Sequence, residues 1–209
     1  MCPSAEPVPA VALLDVSEDV LEQLLELALR DADADEVTPP LGTTAGWNTD
    51  RISWFREFHR AAAAGLDGPA GQKTWAISCD GQLAGSVRLK RMDTEQAAAG
   101  EGLAGGGSGA EAGGGGGWAG GWAVERGGGG ALETGIWLAR SFRGRGVGRE
   151  ALRLVRARAA STGAAVLVAE TTAGNVGALA LLKYAGAELV TGAASQTHTV
   201  PVIAKIPLR

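Results

Sequence analysis

A chain of 209 residues, 45% of them hydrophobic and with a formal net charge of −4, is long enough to bury a core without metals or disulfides. Its two cysteines, Cys2 and Cys79, form neither a disulfide framework nor a Cys/His ligand cluster, which argues against zinc or any other metal and fits a reducing cytoplasm. Between residues 11 and 30 the leucines are interrupted by Asp15, Glu18, Asp19, Glu22 and Glu26, so neither a signal peptide nor a membrane span is expected, and the predicted location is cytoplasmic.

The charge is unevenly placed. Residues 1–60 carry 12 acidic and 4 basic side chains, a net of −8, and residues 61–209 carry 11 and 15, a net of +4. An acidic first part disfavours nucleic acid as a partner and would gather a cationic substrate, although solvated helix faces carry such charge without any ligand.

Ser17 followed by an acidic turn reads as a helix N-cap, and Val20, Leu21, Leu24, Leu25, Ala28 and Leu29 recur at helical spacing, predicting an amphipathic helix over 18–31. An irregular acidic loop, 31–36, follows; Pro39, Pro40 and Gly42 break the chain, and a second helix is expected over about 50–64 with Ile52, Phe55 and Phe58 among its buried candidates. Residues 74–79 and 83–89 are β-rich and flank Asp80-Gly81, a dipeptide suited to a tight antiparallel hairpin. Residues 100–130 hold 17 of the 33 glycines and no apolar period, which predicts a flexible insertion at about 97–130; Trp118 and Trp122 could dock there as a lid, with a plain tether as the simpler role.

Beyond it lie a strand at 132–138, a glycine-rich turn and a helix over 147–161 with Leu152, Val155 and Ala159 on one face. An apolar strand at 165–169, a helix opened by Asn175 and ending near 184–186, and a closing strand at 199–206 complete the order, Pro201 weighing against the last. The succession ααββ, then βαβαβ, predicts one α/β domain over 1–209, with a mixed, mostly antiparallel sheet and helices on both faces.

A glycine-rich turn between strand and helix leaves the first helical N–H groups unpartnered and adds the positive end of the helix dipole, a setting that binds phosphate. Gly144, Gly146 and Gly148 let backbone approach a diphosphate closely, and Arg143, Arg145 and Arg149 add positive charge. A merely solvated basic helix start has the same composition. A Walker loop would end in Gly-Lys-Ser/Thr where this chain has Gly148-Arg149-Glu150, and a dinucleotide fold would need G-x-G-x-x-G, whose third spacing is absent.

The run from Leu132 and Glu133 through Arg143-Gly144-Arg145-Gly146-Val147-Gly148 resembles the strand and pyrophosphate loop of the GNAT superfamily of N-acetyltransferases, whose pattern is Gln/Arg-x-x-Gly-x-Gly/Ala; Arg143, Gly146 and Gly148 match it. Asn175 and the helix after it resemble that family's second cofactor segment. The resemblance implies direct acetyl transfer from acetyl-CoA, with the backbone N–H groups of 143–149 on the pyrophosphate and Ile136, Trp137, Leu138 and Asn175 along the pantetheine arm. An alkylamine is protonated at neutral pH and must lose a proton before attack, so a carboxylate base is required. Glu133 is the first candidate and Glu170 the second, each with the alternative of an ordinary surface pair. The family's thiolate-protonating tyrosine aligns with Leu182; Tyr184, two residues later and rotated by roughly 200° on a helix, is either an acid or a packed aromatic.

Asp33, Asp35, Glu36, Trp47 and Trp54 fall where the family builds its acceptor pocket, and carboxylates beside tryptophan faces suit a polar cation. The acceptor expected is a small-molecule primary amine, the segments 34–40 and 46–47 being faintly similar to aminoglycoside N-acetyltransferases of the kasugamycin type. Acetylation of a protein N-terminus or metabolite amine, and a non-catalytic acyl-CoA sensor, are the alternatives. No nucleic acid or membrane partner is expected, and a homodimer stays open.

Overall fold

The computed structural model describes residues 9–92, 130–192 and 200–208; Cys2 and the expected glycine-rich insertion with Trp118 and Trp122 lie outside the described residues. The hairpin forms as the Asp80-Gly81 dipeptide predicts. Strands β2 (Gln72–Cys79) and β3 (Gln82–Arg91) pair around a turn in which both residues have positive φ, 51° and 81°, the geometry that matches strand twist. Alternation along β2 then requires cover on two faces. Trp75, Ile77 and Cys79 join the larger core with Leu152, Val155 and Ala159 of helix α4 (Val147–Ser161), whereas Ala76 joins a second core with Leu21, Leu24, Leu25 and Phe55 from helices α1 (Glu18–Asp31) and α3 (Thr49–Ala61).

Ser17 caps α1 as expected, its side chain accepting from the Val20 amide, and Asn48 caps α3 by accepting from the Arg51 amide. Phe55 is fully buried, but Ile52 and Phe58 are only half-buried, because α3 lies at the border of its core. Residues 62–64 form a 3₁₀ turn that ends the helix at Gly65. Within the acidic stretch expected as a loop, one helical turn forms, α2 (Ala34–Val37). Two strands were not expected: β1 (Val11–Asp15), which pairs with β2, and β6 (Glu188–Thr191), which pairs with β7 (Pro201–Pro207). Pro201 is tolerated because it is the first residue of its strand.

The seven strands run β1-β2-β3-β4-β5-β7-β6, with β4 (Ala131–Leu138) and β5 (Val166–Thr172) the parallel pair and the other neighbours antiparallel. This is the mixed, mostly antiparallel α/β sheet predicted. Helix α5 (Val176–Tyr184) packs against α4. The parallel pairing extends only from Ala131/Val166 to Thr134/Ala169. Beyond it, residues 135–138 stay with β3 while 170–172 follow β7, so the sheet splays at its centre. A shift in register between Ile77 and Ser78 accompanies the approach of β3 to the end of β4. There Gly85 has φ +154°, and a Cβ on it would lie 2.1 Å from the Trp137 carbonyl oxygen, so only glycine fits.

His59 is buried between the Phe55 and Phe58 rings with Nδ1 3.0 Å from Thr74 Oγ1. Burial lowers its pKa from 6.5 to about 4. Because the folded value is depressed, the neutral ring contributes stability that is complete above pH 6.5 and is lost as pH falls through 4. Urea unfolding is expected to lose about 2 kcal/mol between pH 7 and pH 4.5 through this group, using about 1.4 kcal/mol per pKa unit. His59→Asn should flatten that dependence; an unchanged slope would show that His59 titrates normally.

Candidate functional site

The splay leaves one edge of residues 135–138 without a strand partner among the described residues. Gly135 is exposed and Ile136, Trp137 and Leu138 are half-buried, so backbone donors and acceptors line an open slot between β4 and β5. Immediately after Leu138 the chain makes a 3₁₀ turn, Arg140–Phe142, and then the glycine segment. Gly144 and Gly146 have φ of 72° and 82°, and Gly146 is the left-handed N-cap of α4 with no side chain capping the helix. The amides of Gly144, Arg145, Gly146, Val147 and Gly148 have no hydrogen-bond partner among the described residues. Val147 is fully buried and anchors the helix start; a Cβ on Gly148 would sit 3.4 Å from Leu138 Cδ1 and 3.6 Å from Leu181 Cδ2, placing that start against both β4 and α5. Five free N–H groups at a helix N-terminus beside an open strand edge can hold a diphosphate and an extended amide-bearing arm together.

The three loop arginines differ. Arg143 donates from Nε to the Leu138 carbonyl (2.9 Å) and from Nη1 and Nη2 to both Glu36 oxygens (3.1 and 2.6 Å), a two-pronged pair that holds the Glu36 carboxyl below its usual pKa. Arg145 lies over the Phe142 ring (5.2 Å) and Arg149 over the Tyr184 ring (4.5 Å), and neither is ion-paired among the described residues. Tyr184 is 67% exposed, which removes it from the core, while Leu182 is buried. Asn175 caps α5, its Oδ1 accepting from the Ala178 amide at 3.0 Å.

On the α3 side of the sheet, Arg88 donates to Glu133, and its guanidinium lies 5.8 Å from the centre of the Phe58 ring, which stacks on Trp54 at 4.7 Å. Glu170 projects from β5 just past its last pairing with β4. Its tip reaches solvent, but desolvation within the recess, reinforced by the Glu133 carboxylate and opposed by Arg88, raises its pKa above the ordinary carboxylate value. Glu133, Glu170, Arg88 and Phe58 thus form one cluster beside the slot. Arg88 and Phe58 had no signal in the sequence: their approach depends on strand register and on where α3 crosses the sheet.

The expected cation-binding carboxylates are otherwise engaged. Asp33 pairs with Arg140 (2.5 Å), Asp35 with buried Arg51 (2.7 Å) and Glu36 with Arg143. Trp47 donates its indole N–H to the Ala32 carbonyl at 3.1 Å and meets Phe55 edge-on, so it staples the loop between α1 and α3. Of the five residues expected at the acceptor, Trp54, through its stack on Phe58, is the one drawn to the Glu133 cluster.

An open slot in a parallel pair, a free-amide turn and a carboxylate cluster thus lie side by side. The Acetyltransferase (GNAT) family matches residues 28–187, and the chain belongs to that family of acyltransferases. No curated protein matches it in sequence. Solved structures share the fold: the ribosomal L7/L12 alpha-N-protein acetyltransferase RimL in complex with coenzyme A (14% identity, 96% of each chain, TM-score 0.64); the acetyltransferase from Salmonella typhimurium that modifies the N-terminal serine of L7/L12 (13%, 96% of this chain and 97% of that one, 0.62); and the microcin C7 self immunity acetyltransferase MccE in complex with acetyl-CoA and AMP (14%, 94% and 92%, 0.57). Among the described residues no helix is long and apolar enough to cross a membrane, and no group of His, Cys, Asp and Glu is placed to hold a metal.

Tyr184 offers its ring to Arg149 and has no hydrogen-bond partner for its hydroxyl among the described residues. Tyr184→Phe is therefore expected to keep turnover within about twofold in a steady-state assay, the ring surviving the change. A loss beyond tenfold would restore the tyrosine as the proton donor.

Proposed function

We propose that the protein transfers acetyl from acetyl-CoA to a primary amine that approaches from the α3 side of the splay, with Glu170 as the base. The co-substrate supplies an activated acyl thioester. The amides of residues 144–148 receive its pyrophosphate, Arg145 and Arg149 add charge, and residues 135–138 offer backbone to the pantetheine arm. Glu170 carries the reading because its carboxyl is free of ion pairs among the described residues and its raised pKa lies nearer the working pH, which favours proton transfer from an ammonium, directly or through water. Glu133, the first choice on sequence, is held by Arg88; in this reading it orients Glu170 electrostatically and attracts the incoming cation. The amine nitrogen, once neutral, bonds to the acyl carbon as the C–S bond breaks. The nitrogen sheds its second proton as the amide forms, and because Leu182 offers no hydroxyl that proton passes through water to the leaving thiolate.

Two acceptor classes are supported by different observations. Glu133 and Glu170 beside the Phe58–Trp54 stack suit a polar cationic small molecule, of which an aminoglycoside is the leading candidate. Likeness to RimL over 96% of both chains supports the α-amine of a protein N-terminus as the second. Incubation with acetyl-CoA and a panel of aminoglycosides and N-terminal peptides, read by mass spectrometry, separates them; acetylation of peptides alone would overturn the first.

With whichever acceptor is modified, Glu170→Gln should lower kcat by about 10²–10³-fold and leave KM for acetyl-CoA within about twofold. Wild-type kcat/KM should fall as pH drops through the raised Glu170 pKa, a limb the variant should lose. Turnover within threefold of wild type would rule Glu170 out as the base.

A further inference from the structure

The glycine loop has little internal structure to set its course. Between Leu138 and the first turn of α4 its own backbone bonds are Phe142 N–H to Ala139 and Arg143 N–H to Arg140 (3.0 and 3.2 Å); Gly144 and Arg145 have none among the described residues, and Gly146 has only its carbonyl engaged, accepting from the Arg149 and Glu150 amides (3.1 and 3.2 Å). What holds it comes from a segment more than 100 residues earlier. Asp31 accepts from both the amide and the hydroxyl of Ser141 (3.1 and 2.5 Å), Asp33 pairs with Arg140, and Glu36 grips Arg143 through both oxygens. Three loop residues, Arg140, Ser141 and Arg143, are thus strapped, one by one, to the end of α1 and to the turn of α2. Arg143 in turn reaches back to the Leu138 carbonyl, so the pull of Glu36 is transmitted to the point where strand becomes loop.

We infer that Glu36 is a positioning residue for acetyl-CoA, acting through Arg143 to hold the backbone amides of residues 144–148 where a pyrophosphate can reach them. This deepens the acetyl-CoA reading and rests on it. The alternative, in which Arg143 is itself the phosphate ligand and Glu36 only competes for it, makes the opposite prediction. A carboxylate near a diphosphate repels it, so on charge alone removal of Glu36 should tighten binding. Loss of affinity on removing that negative charge is explained by loss of position.

The test is calorimetric titration of the full chain with coenzyme A, which needs no acceptor, using wild type, Glu36→Gln, Arg143→Gln and the double variant, with melting temperatures measured alongside. Glu22→Gln, which breaks the α1–α3 pair with Arg56 away from the loop, serves as control. Expected are a rise in Kd of about five- to tenfold for each single variant, no further rise in the double variant, and an unchanged Kd for the control. Binding by Glu36→Gln as tight as wild type or tighter, with weakening by Arg143→Gln, would overturn the inference and make Arg143 a direct ligand. If the control weakens equally, the effect belongs to general loosening of α1 and α3, and the inference fails. No binding by wild type would instead defeat the acetyl-CoA reading itself. Should Glu36→Gln not fold, Asp33→Asn and Glu36→Asp report on the same strap, and wild-type affinity in both would overturn it.

Discussion

The proposed function rests on hydrogen bonds that two parallel strands do not make. After Thr134 and Ala169, β4 remains with β3 and β5 remains with β7, and the ladder between them ends in the middle of the sheet. In a closed sheet the unpaired backbone groups of residues 135–138 would be a cost without return. Here each half is held by its outer partner, β3 on one side and β7 on the other, so the unpaired edge persists as a slot with an arm-length of donors and acceptors. Everything else in the site is placed relative to that slot: the free amides of the α4 N-terminus at its end, Glu170 on one wall and Glu133 on the other.

Charge is arranged around the same opening. An acidic run is ordinarily a cation attractor, but here Asp33, Asp35 and Glu36 each meet an arginine, and the cost of gathering three carboxylates is offset by Arg140, Arg51 and Arg143 in turn. Arg145 and Arg149 are left over aromatic rings beside the loop, and the two carboxylates that remain near the acyl position sit on the opposite side, by β4 and β5. In the proposed reading the diphosphate and the ammonium are received at different places, the free amides for the one and the carboxylates of β4 and β5 for the other.

Much of this was legible from residue order because the signals are local. The 18–31 helix follows from Ser17 and a leucine stripe, the hairpin from Asp80-Gly81, and the α4 start from glycines after a strand, and each depends only on neighbours within a turn or two. Strands β1 and β6 were not legible: at five and four residues they are too short for alternation to stand out, and they are strands because β2 and β7 offer edges. The pairing of the acidic stretch was not legible for a related reason. Composition reports carboxylates, but whether they face solvent or Arg51, Arg140 and Arg143 is decided by tertiary approach across 16 to 107 residues. Glu133 ranked above Glu170 until register brought Arg88 beside it.

In the proposed reading coenzyme A enters the splay with its diphosphate on the amides of residues 144–148. The direct measurement is an amide ¹H–¹⁵N shift titration with coenzyme A. The account predicts the largest shifts at Gly144, Arg145, Gly146, Val147 and Gly148, with a second set at residues 135–138 and little change across β1 or β6. Saturable binding with the loop amides unmoved would contradict it.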